Sequence, residues 1–325
     1  MHVQNTSFSH IYEIWNFLER DQSLALAVGV AMTVMSPLIV LGNTLIILVV
    51  WKDPLRNLRS FTSSIILQSM AIADFLVGSI LCPLHSYWSL VTAAGDEPLF
   101  SVFVPLAINA ILISVSVGHV TLLAIDRLFA LLTPLQYRVK VTNRRVTIAV
   151  NTIWGYALVF GVSHAVLDDY FVIFSIIYTA QVLVAVSVII CINLVILCHF
   201  RKDTTRNENS MVAVPIRHFY QREKHLCKAI ALIVCASLVC FTPWLVIESL
   251  LYYCMLCRPN LDSLMKGLAF SSILIYINSV LNPFLYSWRL TRFRDSLKRL
   301  LSKGPHIVLR QQPEQRELEQ FDTRL

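Results

Sequence analysis

Polar residues at fixed spacings inside apolar stretches are the groups here whose types could do chemistry. The densest set is Asn278-Ser279-Val280-Leu281-Asn282-Pro283-Phe284-Leu285-Tyr286, at the end of the last long apolar stretch. Asp74 follows Leu67-Gln68-Ser69-Met70-Ala71-Ile72-Ala73, and Asp126-Arg127 closes the third apolar stretch. A carboxylate beside amide and hydroxyl oxygens can anchor a hydrogen-bond network or hold a hard cation. A carboxylate beside a guanidinium can form a charge pair that opens and closes. No nucleophile–base pair accompanies them, so the expected chemistry is binding and switching, and the chain is not expected to be an enzyme.

The elements that must position these groups follow from composition. The chain has 325 residues, 56% hydrophobic and 14% charged, with mean hydropathy +0.64. A soluble domain carries nearer a quarter charged residues. Seven apolar runs, at roughly 24–51, 59–87, 99–131, 145–164, 170–200, 225–253 and 263–287, are long enough to span. At about 1.5 Å per residue they match or exceed the ~30 Å hydrocarbon core. The fold class is an all-α membrane protein, a seven-transmembrane helix bundle. In hydrocarbon an unsatisfied polar group is costly, so the polar set must face the bundle interior or water.

Charge sets the topology. Of 27 Lys and Arg, three (Arg20, Arg258, Lys266) fall in segments expected outside, and 24 fall on the opposite side. This positive-inside bias puts the N-terminus outside and the C-terminus in the cytoplasm. The net charge of +7 is read as a topology signal with attraction to anionic membrane lipids; nucleic acid is not an expected partner. The stretch before Leu24 is polar, so no cleavable signal peptide is expected. Asn5-Thr6-Ser7 fits a glycosylation sequon on the outer side.

The expected organisation is an extracellular N-terminus (1–23), a seven-span domain (24–287), a short amphipathic cytoplasmic helix (288–302) and a cytoplasmic tail (303–325). The amphipathic helix rests on apolar positions 290, 293, 297, 300 and 301 with cations between them. The longest connection, about Arg201–Lys224, is expected to be a polar, partly mobile cytoplasmic loop.

Together these motifs resemble the rhodopsin-like (class A) G-protein-coupled receptors. The resemblance covers about residues 24–301. It rests on Gly42-Asn43, Asp74, Asp126-Arg127-Leu128 for Asp-Arg-Tyr, Trp154, Cys240-Phe241-Thr242-Pro243 for Cys-Trp-x-Pro, Asn282-Pro283-Phe284-Leu285-Tyr286 for Asn-Pro-x-x-Tyr, and Phe293-Arg294. It implies plasma-membrane localisation, an extracellular ligand, a heterotrimeric G-protein partner and arrestin.

The resemblance also implies a two-state bundle. Arg127 would pair with Asp126 and with Glu223, which lies 20 residues before Pro243, or about 30 Å along a helix. Breaking the pair would let the sixth helix swing outward, with Tyr286 part of the switch. Glu223 also reads as a solvated interfacial charge. Asp74, Ser116, Asn278 and Asn282, with Asn43 and Ser279, would form a buried network. Related receptors hold a sodium ion there, and a water-filled network without sodium is the alternative. No other cofactor is implied.

Departures from the pattern carry information. No cysteine lies between Cys82 and Cys191, so the usual bond from the third helix to the second outer loop cannot form. The expected proline and tyrosine of the fifth helix fall at Ala185 and Asn193. Leu128 replaces the tyrosine of Asp-Arg-Tyr, and Phe241 replaces the usual tryptophan. These features resemble the melanocortin, lysophospholipid, cannabinoid and adenosine group. The Thr133–Arg145 and Arg289–Arg294 segments are similar to adenosine receptors. That group often has an outer-loop disulfide where Cys254 and Cys257 lie; two separate thiols are the other reading.

Eighteen residues separate Asn109 from Arg127, about 27 Å of helix, which places Asn109 in the outer half. By that ruler the outer cavity is lined by His85, Asn109, Ile113, Phe241, Trp244, Leu245, Glu248, Ser272 and Tyr276. Aminergic receptors have an aspartate where Asn109 stands. Adenosine receptors have an asparagine where Glu248 lies and a histidine where Tyr276 lies. Glu248, with Asp168 and Asp169 above it, gives the mouth a negative rim. A cationic small amine or basic peptide is one ligand reading, and a generic solvated rim is the other. The expected function is a ligand-binding receptor that activates G proteins. A non-signalling scavenger on the same fold, an adenosine-like nucleoside receptor, and a channel or transporter stand as alternatives.

Overall fold

In the computed structural model, residues 21–53, 62–100, 103–166, 171–206, 214–254, 260–289 and 291–301 are described. Asn5, Asp168, Asp169, Cys257 and the tail from 302 onward lie outside them, as do the side chains of Glu223 and Tyr286. Among the described residues every element is a helix. Seven are long and apolar enough to cross a membrane: Gln22–Lys52, Ser63–Ala94, Val104–Leu132, Asn143–Ser163, Ile176–His199, Ile230–Leu251 and Leu261–Leu285. They are the first to seventh spans below.

The spans form a closed ring. The first packs on the second and seventh, and the seventh on the sixth. The third span contacts the second, fourth, fifth and sixth, so Asp126 and Arg127 at its end lie at the centre of one face of the bundle. The first span starts at a capped end, where Asp21 accepts from the Leu24 amide at 3.1 Å and from Ser23 Oγ at 2.6 Å. The Ser23 hydroxyl and then the Leu24 amide hold the Asp21 carboxyl below its usual range.

The second span is one helix by sequence, but it contains a π-helical turn over Val77–Leu81, followed by a helix over Cys82–Ala94. Pro83 has no amide to give, and its ring would crowd the carbonyl four residues back. Widening the preceding turn, with the Cys82 amide bonded to the Val77 carbonyl, accommodates it.

The long cytoplasmic connection is shorter than its polarity suggested. The fifth helix runs over Phe171–Arg206 and the sixth starts at Val214. Arg and Lys in the extension of the fifth, and Arg, Gln, Glu and Lys in that of the sixth, are good helix formers without needing burial. A further short helix, Pro134–Lys140, follows the third span and places Pro134 in its first turn. The amphipathic helix is Thr291–Leu301, slightly shorter than 288–302. It buries Phe293 against the bundle with Leu297 and Leu300, and leaves Arg294 and Lys298 exposed. It contacts the seventh and first spans.

Gly42 lies at a close contact between the first and seventh spans. A Cβ there would lie 2.7 Å from Pro283 Cγ, so the Gly42-Asn43 pair fits the proline kink that the Asn-Pro-x-x-Tyr motif creates.

Candidate functional site

The side chains singled out by sequence fall at three depths. At the inner end of the third span, Arg127 is 1% exposed and pairs with Asp126 at 2.5 Å. Arg127 Nε donates to Asp126 Oδ2 at 3.0 Å, and Nη2 donates to Ser63 Oγ at 2.6 Å and Tyr137 OH at 3.1 Å. Ser63 Oγ donates to Asp126 Oδ2 at 2.5 Å, and Tyr137 OH donates to Asp126 Oδ1 at 2.8 Å. Two buried charges are tolerable only if paired and hydrogen-bonded on their remaining atoms, and these four side chains achieve that. The expected partnership of Arg127 with Glu223 lies outside the described side chains.

Ser63 and Tyr137 were not singled out by sequence. Tyr137 sits in the short helix, 10 residues beyond Arg127, and Ser63 opens the second span. Spans alternate in direction, so the start of the second and the end of the third share a depth. That was the available signal for Ser63.

At mid-depth, Asp74 is 3% exposed and accepts from Ser279 Oγ and Asn282 Nδ2, each at 2.6 Å. Asn43 Nδ2 donates to the Ser279 carbonyl at 3.1 Å and to the Ile39 carbonyl at 3.0 Å. The structure thus joins Asp74, Ser279, Asn282 and Asn43 across three spans. Asn278 is also buried, but its Oδ1, like those of Asn43 and Asn282, has no hydrogen-bond partner. Ser116 is half-buried and is not hydrogen-bonded to this group. One carboxylate with three sealed, unpartnered amide oxygens is the donor chemistry a hard cation takes, so these residues fit sodium. Nearby, Trp154 Nε1 donates to Ser69 Oγ at 2.9 Å, tying the fourth span to the second.

In the outer half, Ile113, Phe241, Trp244 and Leu245 pack in one buried cluster with Phe160, Tyr178 and Val182. Tyr178 meets Trp244 edge-on with ring centroids 5.9 Å apart. Tyr276 is buried, its ring centroid is 6.0 Å from that of His85, and its hydroxyl makes a long 3.4 Å hydrogen bond to Asn109 Oδ1. The hydroxyl of Ser272 is turned back to the Ala269 carbonyl at 2.8 Å. His85 Nε2 and Glu248 Oε2 are sealed from solvent with no hydrogen-bond partner. Tyr178, like Phe160, was not singled out by sequence; an aromatic on a lipid-bathed helix gives no sign of which side it faces.

Two further expectations meet the structure here. Asn193, where an active-state tyrosine is usual, is buried and donates to its own helix's Ile189 carbonyl at 2.8 Å. Cys254 is disulfide-bonded, while Cys257 lies outside the described residues. Cys82, Cys191, Cys198, Cys235 and Cys240 are free.

The profile described as "7 transmembrane receptor (rhodopsin family)" matches residues 42–286, from the glycine against Pro283 to the tyrosine after it. Curated relatives include the adenosine receptor A2a of human, 25% identical across 90% of this chain and 74% of the relative. The dog protein of the same name is 25% identical across 85% of this chain and 72% of the relative. The horse protein is 26% identical across the same shares. With seven apolar helices, a buried Asp126–Arg127 pair and the Asp74–Asn282 contact in their places, the chain belongs to the rhodopsin-like family of seven-transmembrane, G-protein-coupled receptors.

Proposed function

We propose that this receptor sits in the plasma membrane with its N-terminus outside and switches a heterotrimeric G protein through the Asp126–Arg127 pair. The observation that carries this is the shared set of hydrogen bonds from Ser63, Arg127 and Tyr137 to Asp126. Arg127 held this way is occupied by Asp126, Ser63 and Tyr137. Freeing it requires that a buried ion pair be exchanged for contacts of similar strength, which gives two discrete states rather than a continuum. A ligand that binds the outer half more tightly in one state shifts that balance. The tail and the cations of the surface helix would serve arrestin and anionic lipid. Asp74, with the oxygens of Asn278 and Asn282, would hold sodium; when bound, the ion supplies a positive charge that offsets the Asp74 carboxylate.

The test is receptor-dependent G-protein activation in cells, screened against amines, nucleosides, lipids and basic peptides. At least one class should raise activation, and Arg127→Ala should abolish the response while leaving the chain at the cell surface. Responses untouched by Arg127→Ala, or none with any Gα family, would support the non-signalling scavenger instead.

A second reading is favoured by the A2a relatives, whose name states that they are adenosine receptors. Against it, Glu248 and Tyr276 stand where adenosine receptors have asparagine and histidine. Activation by adenosine, lost on Asn109→Ala, would establish the nucleoside reading.

A further inference from the structure

Phe241, Trp244, Leu245 and Glu248 follow one another at helical spacing, so they share one face of the sixth span. Phe241, Trp244 and Leu245 are 4%, 7% and 4% exposed, within the cluster that also holds Ile113 and Tyr178. Glu248 continues that face one turn outward, directly above the aromatic layer. Its Oε2 is sealed from solvent, and its carboxylate makes no hydrogen bond or ion pair with any described residue. The only described cation in the outer third of the seventh span is Lys266, whose ammonium pairs with Asp262 at 3.1 Å and Asp21 at 3.6 Å. Among the described residues Glu248 therefore has no cation of its own, and a carboxylate with a sealed, unpartnered oxygen either keeps its proton or takes up a cation. One turn inward on the same face stands Trp244, which the Tyr178 ring meets edge-on with centroids 5.9 Å apart. A carboxylate one helical turn from an indole is a pairing that recognises an organic cation: one supplies charge, the other a polarisable wall.

We infer that Glu248 is the counter-ion for an organic ammonium ligand, whose charged head docks between the Glu248 carboxylate and the Trp244 ring. The counter-ion then stands on the sixth span, while the third span presents the neutral Asn109. Depth favours a compact ammonium over an arginine-bearing peptide, because the carboxylate oxygen is sealed within the bundle rather than exposed on its rim. His85, with its own unpartnered Nε2 on the second span, offers a second polar contact for the far end of the ligand.

The inference rests on the reading of the chain as a ligand-binding receptor, but its test needs no signalling. Purified full-length receptor is heated with phenethylammonium, tryptammonium or choline, and with the neutral analogue phenylethanol, adenosine and a short arginine peptide. At least one ammonium probe should raise the melting temperature, with phenylethanol inert. Glu248→Gln, which keeps shape and loses charge, should weaken that probe's apparent affinity by about tenfold or more while leaving the unliganded melting temperature intact or higher. Glu248→Asp should fall between. The inference is overturned if no ammonium probe stabilises the receptor, if the stabilisation survives Glu248→Gln, or if only adenosine or the arginine peptide stabilises it. Stabilisation without any G-protein response would leave ammonium recognition standing and count against the signalling reading alone.

Discussion

Tyr137 donates its hydroxyl hydrogen to Asp126 Oδ1 at 2.8 Å, which ties the short cytoplasmic helix to the end of the third span. The same oxygen accepts from Arg127 Nη2 at 3.1 Å, so one phenol holds both halves of the buried ion pair. Tyr137→Phe removes that hydroxyl and keeps the ring. A hydrogen bond to a charged group contributes about 1.5–3 kcal/mol, which would raise basal nucleotide exchange by roughly tenfold to a hundredfold if the bond is lost on activation. Exchange measured without ligand checks this; an unchanged basal rate would show that Tyr137 is equally bonded in both states.

Burial pushes the Tyr137 hydroxyl up to about 12, with Arg127 pulling it down and Asp126 pushing it up more weakly. Its unfolded value is near 10. The folded state therefore holds the proton more tightly, and the stabilisation is fully present below pH 10 and lost as pH rises toward 12. Melting temperature against pH should thus carry no Tyr137 contribution from pH 6 to 9. It should fall more steeply between 10 and 12 in the wild type than in Tyr137→Phe. Identical alkaline limbs in the two proteins would contradict the placement of Tyr137.

Ser279→Ala leaves one oxygen of Asp74 without its 2.6 Å donor inside the bundle. An unsatisfied buried acceptor costs about 1–3 kcal/mol, more when charged, so the variant should melt at lower temperature. Asp74→Asn removes the charge instead. If Asp74 holds sodium, the wild type should be stabilised by sodium over choline chloride at equal ionic strength, and Asp74→Asn should not.

Gly42→Ala places a methyl 2.7 Å from Pro283 Cγ, at the contact between the first and seventh spans. Neither a proline ring nor the helix carrying Gly42 can yield easily. Overpacking of this kind costs about 1–3 kcal/mol. A thermal-shift measurement should show destabilisation, whereas Gly155→Ala, with nothing within 4 Å of its Cβ, should be near neutral.

The seven spans were legible because hydrocarbon demands about twenty apolar residues per crossing, a signal that hydropathy carries directly. Which face of each span points inward was not. Ile39 is fully buried while Leu41, two residues on, is 66% exposed, and both are aliphatic because lipid is as apolar as a protein core. Only polar residues break that symmetry. Asp74, Ser279 and Asn282 were therefore readable as one inward-facing set, and Tyr178 was not readable at all. Ser63 and Tyr137 escaped for another reason: they meet Asp126 from 63 and 11 positions away, and serine and tyrosine at a membrane edge are ordinary. The π turn at Val77–Leu81 is set by Pro83, whose effect on the preceding turn depends on how the helix relaxes around it.

The central claim is that the Asp126–Arg127 pair is a G-protein switch held closed by Tyr137. The most direct measurement is nucleotide exchange on purified Gα proteins of each family by receptor reconstituted in lipid nanodiscs, comparing wild type, Tyr137→Phe and Arg127→Ala. The account predicts exchange on at least one Gα family that rises in Tyr137→Phe and disappears in Arg127→Ala. Exchange that is equal in all three proteins, or absent in all three for every Gα family, would contradict it.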